Sequence, residues 1–153
     1  MAAKRLRVML VCSPGGHLQQ MLALRPSWDG LERVWVTLDG PEVGQLLSGE
    51  EVVIAHGPTN RSLSRLLRNL VLAFKLLRAS RPAVVLSTGA GVAVPFFVVA
   101  KLCGVRTVYV ESLTRIDGLS LSGRLVYPLA DRFFVQWPST SGRRRARYVG
   151  SVL

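Results

Sequence analysis

Apolar residues recur along the chain in short blocks separated by polar, helix-patterned stretches. Runs of strand length occur at Leu6–Cys12, Val34–Leu38, Val52–Ala55, Ala83–Leu86, Arg106–Val110 and Arg132–Gln136. Between them, helical periodicity predicts helices over His17–Leu24, Glu42–Leu47, Ser62–Ala79, Val92–Cys103 and Leu121–Leu129. Near-continuous apolar strands alternating with helices indicate a parallel sheet covered on both faces. The expected fold is therefore α/β, a doubly wound Rossmann-like sheet with ligands beyond the carboxyl ends of its strands. With 153 residues, no internal repeat and no low-complexity linker, residues 1–153 read as one domain.

Two turns at such strand ends are rich in glycine. Ser13-Pro-Gly-Gly-His17 follows the first strand, and Ser87-Thr-Gly-Ala-Gly91 follows the fourth. A glycine turn between a strand and a helix brings backbone N–H groups close to an anion, and the helix N-terminus adds partial positive charge. Ser13, Gly15 and Gly16, with Thr88, Gly89 and Gly91, are thus candidate phosphate-binding residues. Neither turn has the GxGxxG spacing of a dinucleotide site, no acidic residue stands where a ribose would need one, and GxxxxGK[ST] is absent. P-loop nucleotide hydrolysis is excluded on those grounds, and NAD-dependent redox chemistry is not expected.

Two polar residues stand beside the turns. His17 opens a helix directly after two glycines, where a neutral imidazole can take a hydroxyl proton, hydrogen-bond a diphosphate, or merely start the helix. Glu111, at the end of the fifth strand, can bind a hydroxyl, act as a base, or cap the segment that follows.

Charge changes the picture of the surroundings. Twenty Lys and Arg face nine Asp and Glu, a net charge of +11, in a chain that is 49% apolar with a mean hydropathy of +0.31. Nucleic-acid binders are basic but polar, whereas proteins lying on anionic membranes combine basicity with apolar surface. A membrane surface is the favoured partner, and nucleic acid is not expected. In the 62–79 helix, a wheel puts Arg61, Arg65, Arg68 and Lys75 on one side and Leu63, Leu66, Leu70, Phe74 and Leu77 on the other. Each cation near an anionic leaflet contributes about 1 kcal/mol, so Arg65, Arg68 and Lys75 are candidate membrane contacts; the alternative is a core helix with a solvated basic face. The cluster Arg143–Arg147 is a solvated or membrane-facing patch. Pro82–Ala100 is uncharged, but its glycine turn and Pro95 make it strand, loop and helix rather than a span. Cys12 and Cys103 lie in apolar runs, as buried reduced thiols do, and neither has metal-ligand spacing.

Several segments occur in a recognisable order: Ser13-Pro-Gly-Gly-His-Leu18, Ser87-Thr-Gly-Ala-Gly91 with Pro95, Tyr109-Val-Glu-Ser112, Leu119-Ser-Leu-Ser-Gly-Arg-Leu-Val-Tyr127 and Phe134-Val-Gln-Trp-Pro138. Together they resemble the bacterial PssD-type polysaccharide glycosyltransferase subunit. They are also similar to its eukaryotic relative, the membrane-anchoring subunit of the N-acetylglucosaminyltransferase acting second in dolichol-linked oligosaccharide assembly. The resemblance implies the N-terminal half of a GT-B glycosyltransferase. Such a half binds a polyprenyl-diphosphate-linked sugar acceptor and sits peripherally on the cytoplasmic face of the membrane. It recruits a small donor-binding chain, and the UDP-sugar occupies the shared cleft.

On that resemblance, Gly15 and Gly16 meet the acceptor diphosphate, Gly89–Gly91 form a second cradle, and His17 and Glu111 serve catalysis without any cofactor. The eukaryotic relatives' N-terminal membrane helix has no counterpart in this sequence, so anchoring is expected from the surface. The tail 138–153 is basic, then apolar, and Tyr148, Val149, Val152 and Leu153 are candidate partner contacts. A purely scaffolding module and a self-sufficient nucleotide-binding Rossmann protein remain as alternatives.

Overall fold

Seven parallel strands form one sheet in the order β3-β2-β1-β4-β5-β6-β7. The computed structural model describes residues 6–59 and 62–153, so Arg61 and the first five residues lie outside the described residues. The strands are β1 (Arg7–Val11), β2 (Glu32–Thr37), β3 (Val52–Ile54), β4 (Val84–Ser87), β5 (Arg106–Val110), β6 (Arg132–Val135) and β7 (Ala146–Tyr148). The helices are α1 (Gly16–Ala23), α2 (Val43–Leu46), α3 (Leu63–Ser80), α4 (Ala93–Leu102) and α5 (Leu121–Val126). Side chains alternate across the sheet. Val8, Leu10 and Cys12 pack with Leu18, Met21, Trp28 and Val43 on one side. Met9 and Val11 pack with Ala73, Leu77, Phe96, Phe97 and Val126 on the other. Helices α1 and α2 thus cover one face, and α3, α4 and α5 the other. The strand order reverses between β1 and β4, which pair directly, and a crevice opens there at the carboxyl edge.

Three expectations need correction. The predicted strands end at residue 136, yet β7 adds a seventh, pairing Phe133 with Ala146 and Val135 with Tyr148. An edge strand needs only one apolar position toward the core, and here Ala146 alone is buried while Arg147 and Tyr148 face out. Helix α5 stops at Val126 rather than Leu129; Tyr127 still has helical backbone angles, but Pro128 has no N–H to continue the hydrogen-bond ladder. Cys103 is exposed; only Cys12 is buried, and burial pushes its thiol up to about 12, leaving it protonated and unreactive.

The buried stripe of α3 is Asn69, Ala73 and Leu77. Leu63 and Phe74, on the side opposite the cations, are exposed and form with Leu67 and Val71 an apolar ridge on the surface. Arg68, Lys75 and Arg78 are exposed on the same helix. Arg65 instead donates from its guanidinium to the Pro58 carbonyl at 3.2 Å, which ties it to the loop before α3. Buried Asn69 holds that loop from below, exchanging two hydrogen bonds of 2.9 Å with the backbone of His56.

Candidate functional site

The two glycine turns meet at the β1/β4 edge and are clipped together by His17 and Thr88. His17 Nδ1 lies 2.8 Å from the Thr88 carbonyl oxygen. A carbonyl only accepts, so Nδ1 carries the proton and Nε2 keeps its lone pair in the neutral ring. Thr88 Oγ1 returns a bond of 2.7 Å to the His17 carbonyl. Gly89 makes this packing possible. At φ +122° it occupies a backbone region that side chains rarely enter, and an added Cβ would lie 2.8 Å from His17 Cε1 and 2.9 Å from Nδ1. Gly91 plays a similar part toward Thr59, whose Oγ1 would lie 2.7 Å from such a Cβ. Gly89→Ala is expected to displace the imidazole and destabilise the chain by about 1–3 kcal/mol, read as a lowered melting temperature.

The backbone donors divide unequally. The N–H groups of Gly16, His17, Ala90 and Gly91 have no acceptor among the described residues. The Gly15 N–H, expected to meet a phosphate, instead donates to Glu42 Oε1 at 2.6 Å. A carboxylate at a helix N-terminus occupies the position an anion prefers. The first turn therefore presents Gly16 and His17, while Gly15 is engaged by the chain's own Glu42.

Of the three roles open to Glu111, its contacts match the last, holding the segment that follows. It is 1% exposed. Its Oε1 accepts from the Ser112 N–H at 2.9 Å, and its Oε2 accepts from the Ser120 N–H at 3.0 Å and the Ser120 hydroxyl at 3.1 Å. Ser120 in turn caps α5, accepting from the Gly123 N–H at 2.9 Å. Gly123 is glycine because an added Cβ would fall on Glu111 Oε2. With both oxygens committed inward, this carboxylate holds the loop 112–120 in place; it does not face the crevice as a base. Burial, together with the nearby Glu111 carboxylate, raises the Tyr109 hydroxyl well above its ordinary value, so the phenol stays neutral.

A second buried network braces the same loop. Gln20 Oε1 accepts from the Leu113 N–H at 3.0 Å and from Gln136 Nε2 at 2.6 Å. Gln136 Nε2 also reaches the Glu111 carbonyl at 2.9 Å, and its Oε1 accepts from the Val152 N–H at 3.0 Å. One turn beyond His17, α1 is thus joined through β6 to the tail. Of the tail residues singled out above, Tyr148, Val149 and Leu153 are exposed, whereas Val152 is half-buried.

A cavity of about 1070 Å³ lies over the crevice. Ser13, His17 and Gly91 line it, together with Thr59, Ser62, Ser112, Thr114, Arg115 and Ser120, none of which the motifs had singled out as candidates. A loop rich in Ser, Thr and Arg after a strand end was the available signal for residues 112–120. Gln20 and Gln136 carried none. Among the described residues, no three His, Cys, Asp or Glu side chains are grouped to hold a metal. No helix among them is long and apolar enough to cross a membrane.

Fold and crevice together define one Rossmann-like half of a GT-B architecture. MurG from Acinetobacter baumannii superposes with a TM-score of 0.80 at 16% identity, over 95% of this chain and 45% of that one. The Staphylococcus aureus MnaA–UDP structure gives 0.72 at 11% identity, over 96% and 45%. Residues 54–152 match the family described as oligosaccharide biosynthesis protein Alg14 like, and the chain belongs to that family. The UDP-N-acetylglucosamine transferase subunit ALG14 of Eremothecium gossypii is 42% identical over 127 residues, 74% of this chain and 55% of its own length. The human subunit of the same name is 36% identical over 94 residues, 57% of this chain and 44% of its own. The chain thus spans about half of these relatives and of the solved structures it resembles.

Proposed function

We propose that this chain is the acceptor-side half of a two-chain, inverting UDP-sugar transferase. It presents a polyprenyl-diphosphate-linked sugar to a small donor-binding subunit, and UDP-N-acetylglucosamine is the donor suggested by the relatives' names. Kinship with the bacterial PssD-type subunits, drawn from the sequence motifs, is part of the same reading. The observation that carries it is His17: an imidazole locked by Thr88 between two glycine turns, with Nε2 left to accept a proton. In the reaction, an acceptor hydroxyl attacks the anomeric carbon of the donor. The new C–O bond forms as the bond to the UDP oxygen breaks, and the hydroxyl proton passes to Nε2. Free N–H groups at Gly16, His17, Ala90 and Gly91, with Arg115, hold the acceptor diphosphate. Glu111 keeps the loop 112–120 closed around it.

Attachment to the cytoplasmic face of an anionic membrane is part of the same reading, and the exposed ridge Leu63, Leu67, Val71 and Phe74 with Arg68 and Lys75 on the same helix supports a membrane contact. The partner docks on β7 and the tail, at Tyr148, Val149 and Leu153. The test is reconstitution: sugar transfer is measured for this chain alone, for the donor-binding chain alone, and for the mixture. Activity confined to the mixture is expected; full activity of either chain alone would overturn the reading. In flotation with phosphatidylserine vesicles, Leu67→Glu with Val71→Glu should reduce binding at least about tenfold, since two apolar anchors become anions facing anionic lipid. Unchanged flotation would remove α3 from the membrane contact.

A further inference from the structure

The cavity over the crevice is lined by two chemically different groups of residues. The loops and helix starts supply a polar group that includes His17, Ser62, Arg115 and Ser120, with Leu38 and Pro58 beside it; the helices supply an apolar group, Leu63, Leu66, Val94, Leu121 and Leu125, interrupted by Ser122. Leu63 and Leu66 come from α3, Val94 from α4, and Leu121 and Leu125 from α5, so the apolar group forms a groove whose floor is α4. Leu121 is 73% and Leu125 51% exposed, and nothing among the described residues covers them. Exposed leucines on both walls of a groove signal a ligand rather than a core.

From these contrasts we infer that the groove between α3 and α5 seats the first isoprene units of a prenyl diphosphate, so that this chain reads the hydrocarbon as well as the diphosphate. The inference rests on the acceptor reading above and deepens it. Three observations select this occupant. None of the chain's nine acidic residues lines the cavity, and Arg115 has no acidic partner within ion-pair distance among the described residues, so the polar group suits an anion. Ser62 and Ser120 cap α3 and α5, and Leu63 and Leu121 follow them directly, so polar and apolar lining adjoin as the head and tail of a prenyl diphosphate do. Leu63 also belongs to the exposed ridge of α3, so the groove runs into the surface proposed to meet lipid. A lipid chain leaving the diphosphate can therefore pass from cavity to bilayer without crossing water. An amphipathic partner helix would cover the leucines but leave the cationic lining unmatched.

Titration calorimetry on the whole chain tests this, with inorganic pyrophosphate and geranylgeranyl diphosphate, the latter below its micelle concentration, as probes. Geranylgeranyl diphosphate is expected to bind at least about tenfold more tightly than pyrophosphate. Leu121→Ser with Leu125→Ser should shrink that advantage below about threefold while leaving the pyrophosphate affinity unchanged. Both residues are exposed, so the variant should fold, which its melting curve checks. Leu102→Ser, an 82% exposed leucine at the far end of α4 and outside the cavity, should keep the full advantage. Equal affinity for the two probes would overturn the groove and leave the diphosphate reading standing. Binding of neither probe would overturn both, and equal loss in the Leu102 variant would reduce the effect to general stickiness.

Discussion

Sugar transfer by the reconstituted pair should fall on the order of 10²–10⁴-fold when His17 is replaced by alanine. The reason is geometric. The Thr88 carbonyl fixes the imidazole with its proton on Nδ1, so Nε2 is oriented as an acceptor before substrate arrives. His17 is only half-buried, and the reciprocal bond from Thr88 Oγ1 goes to its backbone carbonyl and survives the substitution. The variant should therefore melt close to wild type. Kinetics separates the two roles open to this ring. A base lost only from the transition state lowers kcat with KM nearly constant, whereas a lost diphosphate ligand raises KM for the acceptor. Activity within about twofold of wild type, with neither constant moved, would remove His17 from the mechanism.

Glu111→Ala is expected to act mainly on stability, by about 3 kcal/mol or more. Three donors lose their acceptor at once, the buried Ser112 N–H and the half-buried Ser120 N–H and hydroxyl, and each unsatisfied buried group costs about 1–3 kcal/mol. At the size of this chain, that corresponds to a drop in melting temperature of roughly 6–12 °C. Glu111→Gln retains one acceptor oxygen and should fall between the two. Because Glu111 holds Ser112 and Ser120, which line the cavity, activity should decline with loop order, and the acceptor KM should rise more than kcat falls. A Glu111→Gln chain that melts like wild type yet loses more than about a hundredfold in kcat would restore the carboxylate as the base.

The pattern of the chain carried much of the architecture. Six of the seven strands were legible because a strand buried on both faces must be apolar nearly throughout, as Leu10, Val36 and Val85 are. The glycine turns were legible because backbone conformations such as Gly89 at φ +122° exclude most other residues. Strand β7 was not, since an edge strand is held by backbone hydrogen bonds and one buried alanine, with arginines allowed elsewhere. The amphipathic character of α3 was visible, but not that Leu77 of its apolar side would be covered while Leu63 and Phe74 stay exposed. Which arc of a largely apolar helix is covered depends on where the sheet and α4 lie, not on the helix itself.

The linear order of residues thus defined a parallel α/β sheet with two anion-ready turns, because periodicity and glycine conformation are local properties. Folding alone decided that His17 and Thr88, 71 positions apart, would clasp each other. It likewise turned Glu111 inward onto Ser120 and set the leucines of α3 and α5 facing one groove. These are contacts between distant segments, whose geometry is set by how the helices pack across the sheet, and no local pattern encodes it.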